Sequence, residues 1–168
     1  MSSLTVISET GMPHSACNLD YGNRSDWVGF HPSRSRTPMG VGELDFSDRS
    51  QYIKFSVCLW VDELTLRAVT DRLVQKYQNA YYTVGVNDCV SLSVDAANWC
   101  GFRVPPRPNL IPDNLVKNLI SLNLDRVVWK ETICANSQPN MFLKTAKDNI
   151  FLQNPKQISP FGSTKGWV

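Results

Sequence analysis

Residues 81–101 read YYTVGVNDCVSLSVDAANWCG, and this stretch decides the fold that the sequence predicts. Asn87 and Asp88 are residue types that favour the N-cap of a helix, and Gly101 favours a helix end. Cys89 is therefore expected in the first turn of a helix, where unpaired backbone N–H groups and the helix dipole favour a thiolate. This position is typical of a nucleophile, although a free cysteine is also often a small buried core residue.

One of the two histidines of the chain, His14, lies within residues 11–22, which read GMPHSACNLDYG. The segment predicts a short strand from His14 to Leu19, followed by a turn over residues 20–23. A cysteine paired with a distant histidine is typical of acyl transfer, in which the imidazole takes and returns the thiol proton. The alternative is that His14 is a structural strand residue, because sequence alone does not bring it to Cys89.

The other periodic segments predict an antiparallel sheet packed against helices, which is an α+β fold. Residues 5–7, 27–30 and 51–60 read as strands, and we expect the last of them to pair with the His14 strand. Residues 32–42 are rich in Ser, Arg, Pro and Gly and read as a surface loop.

Three helices are predicted from caps and apolar spacing. Asp62 and Asp113 are the expected N-caps of the first and third helices, and the Cys89 helix is expected to pack its apolar face on the sheet. The apolar stripes consist of Leu66, Val69, Leu73 and Tyr77, then Val90, Val94 and Ala97, then Leu115, Val116, Leu119 and Ile120. Beyond residue 123 we expect a strand at Val127–Trp129, mostly irregular chain, and a docked Trp167.

Several motifs follow one another along the chain. They are the His14 strand with its turn, residues 27–32 (WVGFHP), an alternating strand, a helix, and Asn87-Asp88-Cys89 opening another helix. This order resembles the circularly permuted branch of the papain-like NlpC-type cysteine hydrolases, in which the histidine strand precedes the cysteine helix and the cysteine commonly follows an asparagine. The resemblance covers roughly residues 10–120 and leaves the last quarter of the chain unassigned. The inserted Asp88, and His31 where relatives often carry an aromatic residue, depart from the pattern.

The resemblance implies a permuted papain-like fold, with a small antiparallel sheet packed against helices that include the cysteine helix. It implies cleavage of an acyl bond through a thioester acyl-enzyme. Cys89 would attack, His14 would transfer the proton, and a backbone N–H at the helix start would bind the oxyanion. Lipid-acting relatives often carry an apolar anchoring segment that this chain lacks, so an amide substrate is favoured.

The sharpest version of this hypothesis is a peptidoglycan amidase or endopeptidase acting as an antibacterial effector. The runner-up is a cytosolic peptidase or deamidase, and a lipid acyl hydrolase or acyltransferase is a further alternative. A hypothesis from another class is an inactive papain-like fold that serves as a binding module, with Cys89 simply buried. The effector hypothesis implies a peptide or peptidoglycan substrate, and an immunity protein or a contact-dependent (type VI) secretion machine as partner.

A third polar group normally orients such a histidine, and the candidates lie on the strand that returns from the Asp20 turn. Asp26 is the first choice. Asp20 and His31 are alternatives, because a shift of one residue in strand register reverses which side chains face the site. Four further residues are candidates for the walls of the site, although capping or core roles are the simpler interpretation: Asn87, Asp88, Trp27 and Tyr81.

Composition sets further bounds. At 168 residues the chain is long enough for one domain and too short for two ordinary ones, so we expect a single domain over residues 1–168. A net charge of +2, without a basic run, argues against a nucleic-acid ligand. The N-terminus lacks a Sec signal peptide, and there is no apolar stretch of the roughly 18 residues that a membrane span needs. We therefore expect a protein made in the cytoplasm, with export by the secretion machine as the resemblance implies.

Cysteine usage bears on metals, cofactors and redox state. Five cysteines without a C-x-x-C pair, together with two histidines, give no zinc spacing, so neither a metal nor another cofactor is expected. The odd count fits reduced thiols, or one disulfide with free thiols. The five are Cys17, Cys58, Cys89, Cys100 and Cys134.

Overall fold

A computed structural model of the protein describes residues 1–108 and 111–128. These residues belong to one compact unit. The expected end of a strand at Trp129, the docking of Trp167 and the state of Cys134 lie outside the described residues. The expectation of a single domain over residues 1–168 includes that part of the chain and so stays a prediction.

The described residues form an α+β fold, as predicted, with six strands and three α-helices. In chain order the elements are β1 (Ser3–Glu9), β2 (Ser15–Asp20), β3 (Ser25–Pro32), β4 (Met39–Asp45), a 3-10 turn (Ser50–Tyr52), β5 (Ile53–Trp60), α1 (Glu63–Tyr77), β6 (Tyr81–Thr83), α2 (Cys89–Trp99) and α3 (Pro112–Leu122). Val127 adds an isolated bridge to Leu59.

The strands form one antiparallel sheet in the order β5-β1-β2-β3-β4-β6. The prediction that residues 51–60 pair with the His14 strand is wrong, because β5 pairs with β1. The physical reason is that β2 forms one hairpin with β1 and another with β3, so both of its edges are occupied. This arrangement puts β2 and β3 near the middle of the sheet, where α2 packs.

Residues 32–42 are not wholly a surface loop, because β4 begins at Met39. Its glycines have low strand propensity and hid the alternation from the sequence pattern. Gly42 is required by packing, since a Cβ at this position would stand 2.2 Å from Cζ of Phe30. Phe30 belongs to the core and lies edge-on to Tyr77 of α1, with ring centroids 4.9 Å apart.

The helices begin largely where the sequence places them. Asp62 caps α1 by accepting a hydrogen bond from the Thr65 N–H at 2.9 Å. The prediction that Asp113 caps α3 is wrong, because Ile111 occupies the N-cap and Pro112 starts the first turn. The Asp113 carboxylate instead accepts hydrogen bonds from the Ser8 hydroxyl and from Lys54, so it ties α3 to the sheet.

Helix α2 is buried along most of its length. Every residue from Cys89 to Ala97 is buried, and Gly101 follows the C-cap with φ +76°, the left-handed conformation expected after a helix end. Asp95 is buried beside Arg107, Lys76 and the Tyr77 hydroxyl, which hydrogen-bond its carboxylate. These contacts tie α2 to α1 and to the segment that follows α2.

Candidate active site

Asp88 fixes the start of α2. One of its carboxylate oxygens accepts a hydrogen bond from the Ser91 N–H at 2.8 Å, and the other accepts from the Gly85 N–H at 2.6 Å. The capping interpretation of Asp88 is therefore confirmed. Asn87 does not cap, because its side-chain amide donates to the carbonyl of Tyr81 at 2.9 Å. Together the two side chains hold the turn that delivers Cys89.

The Cys89 thiol is enclosed, with only 5% of the residue exposed. The backbone N–H of Ser15 lies against its sulfur, and the Tyr82 hydroxyl lies 4.0 Å away. Burial raises the pKa of the Cys89 thiol to about 11, although the Ser15 N–H partly opposes this rise. The expectation of a resting thiolate is thus wrong: desolvation outweighs the stabilisation that the helix start provides.

The contact with Ser15 places the His14 segment against Cys89. The β2–β3 ladder ends at the pair Ala16 and Gly29, so the Ser15 N–H is not used by the sheet and points at the sulfur instead. Ser15 immediately follows His14 in the chain. The backbone at the end of β2 therefore lies against Cys89. The His14 ring lies on the other face of β2, with Ala16 and Gly29, whereas the Ser15 side chain faces α2 and bonds Ser93.

The His14 ring lies beside Gly29. Its Nε2 is 3.2 Å from the point where a Cβ would stand on that glycine, and the methyl group of Ala16 is 3.6 Å from the same point. Burial lowers the pKa of His14, while the nearby Glu9 carboxylate acts in the opposite direction. A neutral imidazole near neutral pH is able to accept a proton from a neutral thiol, which is what a general base requires.

His31 lies on the same face of the sheet as the His14 ring. The His14 ring lies beside Gly29, and alternation along β3 puts Gly29 and His31 on one face of the sheet. Nδ1 of His31 is 3.0 Å from the carbonyl oxygen of Pro32. Since a carbonyl only accepts, Nδ1 carries the proton, and Nε2 of a neutral His31 is left as an acceptor. His31 is therefore the candidate orienting group that shares a sheet face with the His14 ring.

The structure does not bring Asp26 or Asp20 to His14. Asp26 is paired with Leu19, five residues along β2 from His14, which corresponds to about 16 Å of strand. Its carboxylate forms an ion pair with Arg24 at 3.3 Å. Asp20 accepts a hydrogen bond from the Gly22 N–H at 2.8 Å in the hairpin turn at the same far end. The structure thus does not place Asp26, the first choice, near His14, and the identity of the orienting group stays a prediction.

Trp27 and Tyr81 do not line the surroundings of Cys89. Trp27 borders a cleft of about 420 Å³ near Asp26, at the hairpin end of β3. Tyr81 is 57% exposed, whereas its neighbour Tyr82 is buried and faces the sulfur. Tyr82 is the site residue that sequence reasoning missed, because the three residues of β6 are too few for a period of two to be recognised.

A second cleft lies next to His14. It has a volume of about 280 Å³ and is bounded by the loop before His14 and by the start of α3. Its walls include Thr10, Pro13, Lys54 and Ile111. Neither of these two clefts is lined by Cys89 or by His14.

Within residues 1–108 and 111–128, no group of His, Cys, Asp or Glu side chains has the arrangement of a metal site. In the same part of the chain, no helix is long and apolar enough to cross a bilayer. Comparison with protein-family models, with curated proteins and with solved structures finds no match to this chain.

Proposed function

We propose that this chain is a cysteine hydrolase of the permuted papain-like type, which cleaves an amide bond through an acyl-enzyme. The observation that supports the proposal is the approach of the Ser15 N–H to the Cys89 sulfur. It places a thiol at a helix start next to the segment that bears His14. The order of these elements, histidine strand before cysteine helix, agrees with the permuted arrangement.

The reaction begins from a neutral pair. The reaction requires the His14 ring to turn around the end of β2, from the Ala16 and Gly29 face toward the sulfur. The imidazole then takes the thiol proton as the Cys89 sulfur attacks the carbonyl carbon, and the carbonyl oxygen becomes an oxyanion. His14 then gives the proton to the leaving nitrogen, the C–N bond breaks, and a thioester remains. Water, deprotonated by His14, hydrolyses the thioester to a carboxylic acid and regenerates the thiol. His31 is the proposed acceptor, through its Nε2, for the other N–H of His14.

Tyr82 is suited to bind the oxyanion. Burial raises the pKa of Tyr82 well above its ordinary value, so the hydroxyl keeps its proton. Because the hydroxyl lies 4.0 Å from the sulfur, it can reach an oxygen that faces it on a carbon bonded to that sulfur. A hydroxyl and the backbone N–H groups at the start of α2 form a pair of donors of the kind that acyl transfer needs.

The substrate that we favour is an amide of a peptidoglycan stem peptide, with the chain acting as an antibacterial effector. The cleft beside His14 carries both cationic and anionic side chains, which suits a charged peptide better than an acyl chain. An immunity protein and a contact-dependent secretion machine are the partners that this proposal entails.

One observation favours a second candidate, an inactive binding module. Cys89 is only 5% exposed and the pKa of its thiol is raised, which is also what a structural cysteine shows. The binding-module hypothesis predicts that no covalent intermediate forms with any acyl substrate.

The test uses purified peptidoglycan, and separately phospholipid and peptide-amide substrates, with products analysed by mass spectrometry. We expect new amine and carboxyl termini from peptidoglycan with the wild-type protein and none with Cys89→Ala. Cys58→Ala is the matched control, because it removes a thiol that is neither at a helix start nor next to the His14 segment. Release of fatty acid from intact phospholipid, with peptide cross-links unchanged, would reject the amide substrate. Turnover at the wild-type level in Cys89→Ala would reject the mechanism.

A further inference from the structure

Three charged side chains act on the His14 ring, and they are Glu9, Arg49 and Asp45. Arg49 donates two hydrogen bonds to Glu9, from Nε to Oε1 at 2.9 Å and from Nη2 to Oε2 at 2.6 Å. Its Nη1 lies 3.4 Å from an oxygen of Asp45. The Glu9 side chain is only 4% exposed, so this two-point ion pair is nearly sealed from water.

Glu9 is the closest acidic neighbour of His14 in the sheet. The Glu9 N–H donates to the His14 carbonyl at 3.0 Å, which continues the β1–β2 register from the pair of Ser8 and Ser15. Side chains opposed in this way share one face of the sheet. A carboxylate that was not held by Arg49 would therefore be within reach of the His14 ring, to which it would bind as an ion pair.

We propose that Arg49 is a positioning residue of this site, whose guanidinium holds the Glu9 carboxylate and so leaves the His14 ring free to accept the thiol proton. Bidentate binding satisfies both oxygens of Glu9, and a nearby cation disfavours a second positive charge on the imidazole. The tie between Arg49 and Asp45 adds to the effect, because it fixes the guanidinium from a second strand.

The charges that act on His14 come from every element around it. Glu9 on β1 and Asp45 on β4 favour the imidazolium ion. His31 on β3 and Arg49, which lies between β4 and the 3-10 turn, disfavour it. Removal of Arg49 leaves both carboxylates without their cation. We therefore expect the protonation midpoint of His14 to rise, and the acid limb of the rate profile to move with it.

The experiment follows the ring protons of His14 by NMR against pH, in parallel with kcat/KM. The chain has only two histidines, so a His31→Gln variant assigns the signals. In Arg49→Gln we expect the His14 midpoint to rise by about one pH unit or more. In Arg49→Gln with Glu9→Gln we expect most of that rise to disappear, because the released carboxylate is gone.

The double variant separates positioning from a merely structural role of Arg49. An unchanged His14 midpoint in Arg49→Gln, or a double variant that titrates like Arg49→Gln, would overturn the proposal. If Arg49→Gln does not fold, Arg49→Lys retains the charge without the two-point geometry, and we expect a smaller rise. No rise in Arg49→Lys would then count against it.

The inference deepens the proposed function, but its NMR readout does not depend on turnover. A raised midpoint that Glu9→Gln reverses, in a protein without hydrolase activity, would support the role of Arg49 and reject the hydrolase. Normal hydrolysis with an unchanged midpoint would do the opposite.

Discussion

The Nε2 atom of His14 lies 3.2 Å from the point at which a Cβ would stand on Gly29. A methyl group there would be in tighter contact than most packed carbons, so the ring must move by a few tenths of an ångström. Because misplacement of a catalytic group is costly, we expect Gly29→Ala to lower kcat/KM by about ten-fold or more. The free energy of unfolding, measured by urea denaturation, should change by less than about 1 kcal/mol.

Gly40→Ala is the matched control for this change. A Cβ at Gly40 meets only the Thr37 hydroxyl at 3.8 Å, which is an ordinary contact. We expect wild-type activity from Gly40→Ala, measured in the same assay. Full activity of Gly29→Ala would show that the position of the His14 ring beside Gly29 does not matter for the reaction.

Tyr82→Phe should slow the reaction and leave the fold intact. The substitution keeps the ring that packs against Phe30, whose centroid is 5.4 Å away, and removes only the hydroxyl. Loss of one oxyanion donor costs about 100-fold in kcat in comparable sites, with little effect on KM. Steady-state kinetics measures the split. Tyr81→Phe, which alters an exposed ring, should be silent, and equal effects of the two changes would remove Tyr82 from the mechanism.

His31→Ala and Asp26→Ala should differ sharply. His31 shares a sheet face with the His14 ring, whereas Asp26 is bound to Arg24 at the other end of β3. We therefore expect reduced turnover from His31→Ala and normal turnover from Asp26→Ala. An orienting residue usually costs less than the nucleophile, so His31→Ala should stay measurably above Cys89→Ala. The comparison is made at several pH values with thermal unfolding as a check on folding. A crippled Asp26→Ala with a normal His31→Ala would reverse the assignment.

Alkylation of Cys89 by iodoacetamide should increase with pH up to a midpoint near 11. The pKa is raised because burial disfavours the thiolate, so the thiolate fraction at pH 7 is smaller than that of an ordinary thiol. Site-resolved mass spectrometry of the labelled protein gives the midpoint, with the less buried Cys58 as an internal reference. A midpoint below about 8.5 would mean that the helix start outweighs burial.

The sequence supports the local features of this protein better than its long-range ones. The Asx cap before Cys89, the glycine after α2 and the apolar stripe of α1 follow from short-range rules, and each is found in the structure. The pairing of β5 with β1 depends on which strand edges remain free, and that is a property of the whole sheet. The glycines of β4 concealed this strand in the sequence pattern. Gly42 is required there, because Phe30 leaves no room for a side chain.

The candidate site shows the same division. Cys89 and His14 stand out because their residue types are rare and their positions are locally marked. The third residue depends on strand register, which the sequence does not specify, so the sequence does not separate Asp26 from His31. The raised pKa of the thiol is hidden for a related reason, since burial by distant segments is not visible in a window around Cys89.

A protonated and enclosed Cys89 also bears on how this protein would be inhibited. Peroxide and simple alkylating agents consume thiolates, so the resting protein should withstand oxidative conditions that inactivate cysteine enzymes with a preformed thiolate. Useful inhibitors would first have to bind next to Cys89. They would then present an electrophilic carbon, as a peptide aldehyde or nitrile does, to which the sulfur adds with the help of His14. Potency should then follow the recognition part of the molecule more closely than the intrinsic reactivity of its warhead.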